Sequence, residues 1–167
     1  MVLPLSKVPP EGCDFAFDVA ANRLAGAAEA LVGHDPIRVT GRAEHEAGGL
    51  RVRGRVETRL ALECSRCLGL ISQPFDSRLD VLYSRRVSDE DEVELSGVDL
   101  AVCVLEGDAV NLFELVREQV LLEVPMAPLC SGDCKGLCPR CKANLSAGPC
   151  ACPEPVDPRL RALKKLL

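Results

Sequence analysis

Between Leu50 and Cys64 the chain reads LRVRGRVETRLALEC. Val52, Val56, Leu60, Leu62 and Cys64 fall on one parity, and Arg51, Arg53, Arg55, Glu57, Arg59 and Glu63 on the other. In an extended strand, period two sends the apolar set to one face and the charged set to the opposite face. A chain with this run must build an antiparallel sheet that is buried on one side and wet on the other. The run is long for one strand, and Gly54 is read as a bulge or bend within it. Its neighbours repeat the pattern. IRVTGRAEHE alternates from Ile37, and AGG at 47–49 is a turn signal. After CSRCLGLISQP turns the chain, Phe75, Ser77, Leu79, Val81 and Tyr83 alternate with Asp76, Arg78 and Asp80.

Other stretches complete the outline. VDLAVCVLEGDAV reads as a further strand with a turn at Gly107–Asp108. NLFELVREQVLLEVP is the clearest helix, over about 111–123. Asn111 caps it, Glu114 completes a capping-box pattern, and Pro125 ends it. Leu112, Leu115, Val116, Gln119 and Val120 form its stripe. The Ala-rich stretch Asn22–Val32 predicts a short helix with Asn22 as cap and Gly33 as stop. Asp157 and Pro158 open a short C-terminal helix. The expected fold is α+β. A twisted, mostly antiparallel sheet with one packed helix spans 1–125, a Cys-rich metal-binding segment spans 126–157, and a short helix spans 158–167.

The formal net charge is −5, and SDEDEVE alone carries five carboxylates. That run reads as a solvated loop. The rest is neutral in sum but uneven, with seven arginines against four glutamates over 36–66. Residues 130–167 hold seven basic and three acidic side chains. Arg51, Arg53, Arg55 and Arg59 are therefore candidate phosphate contacts, the alternative being a solvated strand face. With no Trp, one Tyr and four Phe, the core must be aliphatic, and a module that stacks bases on aromatic rings is disfavoured. The N-terminus lacks a basic n-region, and Pro4, Pro9 and Pro10 break its apolar stretch. No run approaches the ~20 apolar residues of a membrane span. The expected location is the cytoplasm, where thiols stay reduced and clustered cysteines point to metal before disulfide.

Six cysteines crowd one segment: Cys130, Cys134, Cys138, Cys141, Cys150 and Cys152. A C-x-x-C turn brings two thiolates to one ion, and four thiolates suit tetrahedral zinc. Cys138 and Cys141 are the anchoring pair. Their partners are either Cys150 and Cys152 or Cys130 and Cys134, with two thiols left over. Lys135, Arg140 and Lys142 offset the charge of an all-thiolate site. Disulfides, an iron–sulfur cluster and unligated thiols are the competing readings. Cys64 and Cys67 form a separate pair at a strand end, read first as reduced thiols for packing or a partner surface. Alternatively they join Cys138 and Cys141 on a metal, or act as a redox pair. Cys13 and Cys103 read as small core residues. His34 and His45 read as surface residues.

Nothing supports an enzyme. There is no phosphate-binding glycine loop, no dinucleotide fingerprint and no nucleophile elbow. No carboxylate pair stands out, and no small-molecule substrate is indicated.

The combination LALECSRCL, CKGLCPRC and the terminal DPRL resembles the YceD family, described as large ribosomal RNA subunit accumulation proteins. The resemblance covers about Ile37 to Leu167. Cys64, Arg66 and Cys67 match its central motif, and the six late cysteines match its C-terminal one. It implies a non-catalytic role in ribosome biogenesis, with large-subunit ribosomal RNA or a large-subunit ribosomal protein as partner. Some members lack most of the late cysteines, which implies that metal there is a stabilising device. Lys142 departs from the family, which usually shows Gly after the second knuckle cysteine. The expectation is a less regular turn there. A thiol-redox or metal-delivery protein, or a general protein-interaction module, are the alternatives.

Overall fold

The computed structural model describes residues 1–46, 49–84, 102–105 and 107–153. The acidic run at 88–94 and the expected C-terminal helix at 158–167 lie outside them. Among the described residues the strands in chain order are β1 (Val2–Pro4), β2 (Cys13–Val19), β3 (Leu31–His34), β4 (Ile37–Glu46) and β5 (Gly49–Glu63). They are followed by β6 (Leu70–Ser84), β7 (Val102–Val104), β8 (Ala109–Asn111) and the helix α1 (Leu112–Glu123).

β5 is the spine. It pairs antiparallel with β4 along one edge from Gly49 to Glu57, and with β3 further along that edge at Leu60–Leu62. Its whole length pairs antiparallel with β6 on the other edge. β2 pairs with β4, and β7 adds three residues to β6 in the parallel sense. β1 and β8 form a separate short ladder that holds the chain start against α1. There the Leu112 amide donates to the Met1 carbonyl at 2.9 Å.

The alternation reads directly into burial. Val52, Val56 and Leu62 are fully buried and Leu60 nearly so. Each contributes roughly 1.5–3 kcal/mol of apolar burial. Leu112, Leu115, Val116 and Val120 of α1 join the same core cluster as Ile37, Val39, Phe75 and Leu79. The Asn111 side chain caps the helix, accepting from the Phe113 amide. Glu114 turns outward to Arg117 at 3.3 Å instead of closing the reciprocal half of a capping box. Gln119 interrupts the apolar stripe for a reason. Its amide donates to Ser77 Oγ at 2.9 Å, and Ser77 donates to Glu123, so helix and β6 share one polar cluster.

Several expectations are revised. Gly54 carries no bulge, because its register with both neighbours is continuous. It lies opposite Gly41, where β4 and β5 approach closely. A Cβ on Gly54 would sit 2.7 Å from the Thr40 carbonyl oxygen, and one on Gly41 would sit 2.5 Å from Phe15 Cζ. The short helix over Asn22–Val32 does not form. Asn22 takes a positive φ of 60°, and its side chain accepts from the His34 amide at 3.0 Å. The following residues turn, and residues 31–34 are captured as β3 with Leu31 buried against the core. Helix propensity is a weak prior against such pairing and burial. His34 is a buried residue, not a surface one. Its Nε2 accepts from the Leu24 amide at 3.0 Å, so Nδ1 carries the proton and donates to the Asp35 carbonyl at 2.6 Å. His45 is exposed, as read, and donates to the Val8 carbonyl. Cys13 packs at the core margin, whereas Cys103 is exposed on β7. The VDLAVCVLEGDAV stretch divides at the turn into β7 and β8, which join different sheets.

The Gly41–Gly54 contact makes a stability prediction. Gly41→Val should cost about 2–3 kcal/mol, since overpacking here meets backbone and a ring instead of a flexible chain end. Urea unfolding of the variant against the parent chain measures this.

Candidate metal centres

β5 ends by delivering Cys64 to a tight turn, and β6 begins just after it at Leu70. Within this turn the Cys64 amide donates to the Gly69 carbonyl at 2.9 Å, and the Leu68 amide donates to the Cys64 carbonyl at 2.9 Å. Leu68 adopts a positive φ of 57°. The same pattern recurs at the second C-x-x-C. The Cys138 amide donates to the Ala143 carbonyl at 2.8 Å, and the Lys142 amide donates to the Cys138 carbonyl at 2.9 Å. Lys142 has φ of 58°. The departure from glycine at Lys142 therefore does not make that turn irregular. Lys142 takes the left-handed conformation as Leu68 does, at a strain of about 1–2 kcal/mol.

Two groups of four thiols result. Cys64, Cys67, Cys130 and Cys134 form the first, and Cys138, Cys141, Cys150 and Cys152 the second, with the sulfurs of each group within 4.8 Å of one another. Cys64 and Cys67 stand neither apart from the late six nor with Cys138 and Cys141. Here they lie with Cys130 and Cys134, so none of the eight is left over. The signal for this division is an internal echo in the sequence. CSRC and CPRC share Cys-x-Arg-Cys spacing, and two such knuckles each need a second pair.

The donor set fits a single soft divalent ion at each centre. Bonds of about 2.3 Å in a tetrahedron put neighbouring sulfurs roughly 3.8 Å apart. Cys64 and Cys134 are separated by 3.9 Å and Cys67 and Cys130 by 3.6 Å. That spacing leaves room for one ion and not for several irons with their bridging sulfides. All ten cysteines are free thiols.

The electrostatics sort the thiols within each group. Backbone N–H groups converge on one sulfur of each knuckle. Those of Cys67, Cys130 and Arg66 lower the Cys64 thiol from its ordinary value near 9 to about 6. Those of Cys141 and Arg140 lower Cys138 likewise to about 6. The Gly136 amide lowers Cys134 as well, whereas Cys67, Cys130, Cys150 and Cys152 resist ionisation. Contact with the Cys134 sulfur pushes Cys130 up to about 12, and contact with Cys141 pushes Cys152 up to about 12. Gathering four thiolates in either centre therefore meets an electrostatic obstacle at its raised thiols. A bound divalent ion removes that obstacle and displaces the protons. Arg66 contributes from outside the ligand set, donating to the Cys134 carbonyl at 2.8 Å.

The candidate phosphate-binding arginines lie on the outer face of the sheet and are mostly engaged. Arg51 forms a bidentate pair with Asp80 at 2.7 and 3.1 Å and also reaches Glu46. Arg55 pairs with Asp76, and Arg53 lies within 4 Å of Glu44, Glu46 and Asp80. Arg59, like Arg38, has no ion pair among the described residues and borders an open cleft with Asp18, Asp35 and Glu57. Asp76 and Asp80 are held below the usual carboxylate range by hydrogen bonds from Arg55 and Arg51.

Fold and site together define a sheet protein with two cysteine knuckles, one built into the sheet and one beyond it. The chain belongs to the YceD family. The family description "Large ribosomal RNA subunit accumulation protein YceD" matches residues 52–167. An uncharacterized protein of Mycobacterium tuberculosis is 32% identical over 127 residues, covering 75% of this chain and 59% of that protein. The chain thus spans about three-fifths of the length of its mycobacterial relatives. The uncharacterized protein YlbN of Bacillus subtilis is 28% identical over 168 residues, covering 99% of this chain and 94% of YlbN. The chloroplastic large ribosomal RNA subunit accumulation protein YCED homolog 1 of Zea mays is 25% identical over 143 residues, covering 70% and 48%. No solved structure matches the chain. No helix among the described residues is long and apolar enough to cross a membrane.

Two predictions follow from the geometry of the knuckles. Lys142→Gly should leave metal content unchanged and raise stability by up to about 1 kcal/mol, since it relieves left-handed strain but loosens the unfolded chain. Thermal unfolding with parallel elemental analysis decides it. The second concerns pH. In the reduced, metal-free chain the Cys64 and Cys138 thiolates stabilise the fold fully above their unfolded value near 9. That contribution should shrink as pH falls and vanish through about 6. Urea midpoints at pH 9 and pH 6 should differ in that sense, and Cys64→Ser should reduce the difference.

Proposed function

We propose that this chain is a non-enzymatic factor that promotes accumulation of large-subunit ribosomal RNA during ribosome biogenesis in the cytoplasm. The observation that carries this reading is family membership over residues 52–167, joined to the name of the chloroplastic relatives. The chain would act by binding ribosomal RNA or a large-subunit ribosomal protein. Zinc is the ion the eight thiols suit best, in a structural role, because no ligand position is left open for a substrate. The organisation proposed is a sheet domain to about residue 125, a metal-binding segment to about 157 and a short terminal helix.

The outer sheet face bears on the mode of contact. Seven arginines (Arg38, Arg42, Arg51, Arg53, Arg55, Arg59 and Arg78) share that face with eight carboxylates (Asp14, Asp18, Glu44, Glu46, Glu57, Glu63, Asp76 and Asp80). Phosphates would have to displace carboxylates from Arg51, Arg53 and Arg55, so RNA contact through them would be weak and steeply salt-dependent. Arg59 and Arg38 are the more available cations of the face.

The test is a deletion strain combined with gradient sedimentation. Loss of the chain should lower large-subunit RNA relative to small-subunit RNA, and the tagged protein should co-sediment with large-subunit precursors. A normal RNA ratio together with no co-sedimentation would refute the reading.

A further inference from the structure

The two centres draw their ligands from different places. Cys138, Cys141, Cys150 and Cys152 lie in one short segment. Cys64 and Cys67 belong to the turn between β5 and β6, whereas Cys130 and Cys134 follow the helix, with 63 positions between Cys67 and Cys130. Protein contacts join these same two stretches. The Ser65 amide donates to the Pro128 carbonyl at 2.9 Å, and the Cys130 amide points at Cys64 Sγ at 3.4 Å. Arg66 reaches the Cys134 carbonyl at 2.8 Å. Gly136, at φ of 76°, lies so close to the knuckle that a Cβ would sit 2.9 Å from the Arg66 carbonyl oxygen. No other residue type suits both that dihedral and that approach. Cys64, Cys67 and Cys134 form a small buried cluster of their own, with Ile71 and Leu137 packed against it.

We propose that a zinc ion held by Cys64, Cys67, Cys130 and Cys134 is a tertiary clasp. It fastens the C-terminal Cys-rich segment to the sheet, with Arg66 and Gly136 as positioning residues that deliver Cys134. A second ion, at Cys138, Cys141, Cys150 and Cys152, folds that segment locally and does not attach it. The central motif of the chain, Cys64-Ser65-Arg66-Cys67, is on this view a docking socket for the segment. The inference rests on the reading of the thiol groups as zinc sites, and the experiment separates the two.

The full-length chain is loaded with Zn²⁺. Metal per chain is counted by native mass spectrometry, and amide exchange is followed over 128–136 and 138–145. The parent chain should hold two ions. Cys138→Ser/Cys141→Ser should hold one and keep protection over 128–136. Cys64→Ser/Cys67→Ser should hold one, lose protection over 128–136 by tenfold or more, and keep it over 138–145. Arg66→Ala spares every ligand and guards against misfolding of the double variant. It should still bind two ions, with a chelator extracting one of them roughly tenfold faster than from the parent. A parent chain with no metal would overturn the zinc reading itself. Two ions with equal loss of protection over 128–136 in both cysteine variants would leave that reading standing and overturn the clasp. So would an Arg66→Ala variant whose chelation rates match the parent.

Discussion

β5 pairs along both edges while its even-numbered side chains fill the core, and everything else is positioned by that one strand. Its register with β6 runs unbroken from Gly49 opposite Ser84 to Glu63 opposite Leu70. A one-residue slip would turn Val52, Val56, Leu60 and Leu62 to water and the arginines into the core. The register is therefore fixed by hydrophobic burial, and it fixes where the strand ends. Cys64 stands at that end because it continues the buried parity, and it is itself fully buried. The first cysteine knuckle is thus an extension of the core pattern, and its geometry is held by backbone hydrogen bonds of its own turn.

Charge balance is managed differently at the two ends of the molecule. On the sheet the balance is internal, with arginines and carboxylates interleaved on neighbouring strands. Such exposed pairs add little stability but keep a long ladder from presenting a single sign of charge. At the knuckles the balance would come from a bound ion and the cations around it. Four thiolates around a divalent ion leave a formal −2, and the nearby cations Arg66, Lys135, Arg140 and Lys142 are opposed among the described residues of that segment only by Asp133. With ions bound, these side chains would offset the centres, and the basic character counted over 130–167 would be smaller.

Much of this was legible in the sequence because the signals were periodic. The β4–β5–β6 ladder followed from alternation, and α1 from its cap and stripe. Two readings failed where local preference met a tertiary demand. The Ala-rich stretch after Asn22 is a fair helix former in isolation, yet β5 had an open edge beyond Glu57 and a core position for Leu31, and pairing won. Gly54 looked like a bulge because a strand gains nothing from a missing side chain. The gain lies across the ladder, at Gly41 and Phe15, where only spatial proximity shows it. The division of the thiols had the same cause. Spacing identifies knuckles, but which pairs share an ion depends on where the folded chain brings residues 130–134.

Chain topology also orders the two centres. Cys141 and Cys150 are nine positions apart, against 63 between Cys67 and Cys130. Loop-closure entropy grows with the logarithm of that length, so closing the longer loop in an unfolded chain costs about 1.7 kcal/mol more. The local centre can form in a short segment on its own. The other can form only after β5 and β6 have paired and α1 has packed, since those events carry residues 128–136 to the knuckle. Once they have, the separation no longer matters, and Ser65, Arg66 and Gly136 hold the incoming ligands in place. An ion at that centre therefore reports on the completed fold, whereas an ion at the other reports only on its own segment.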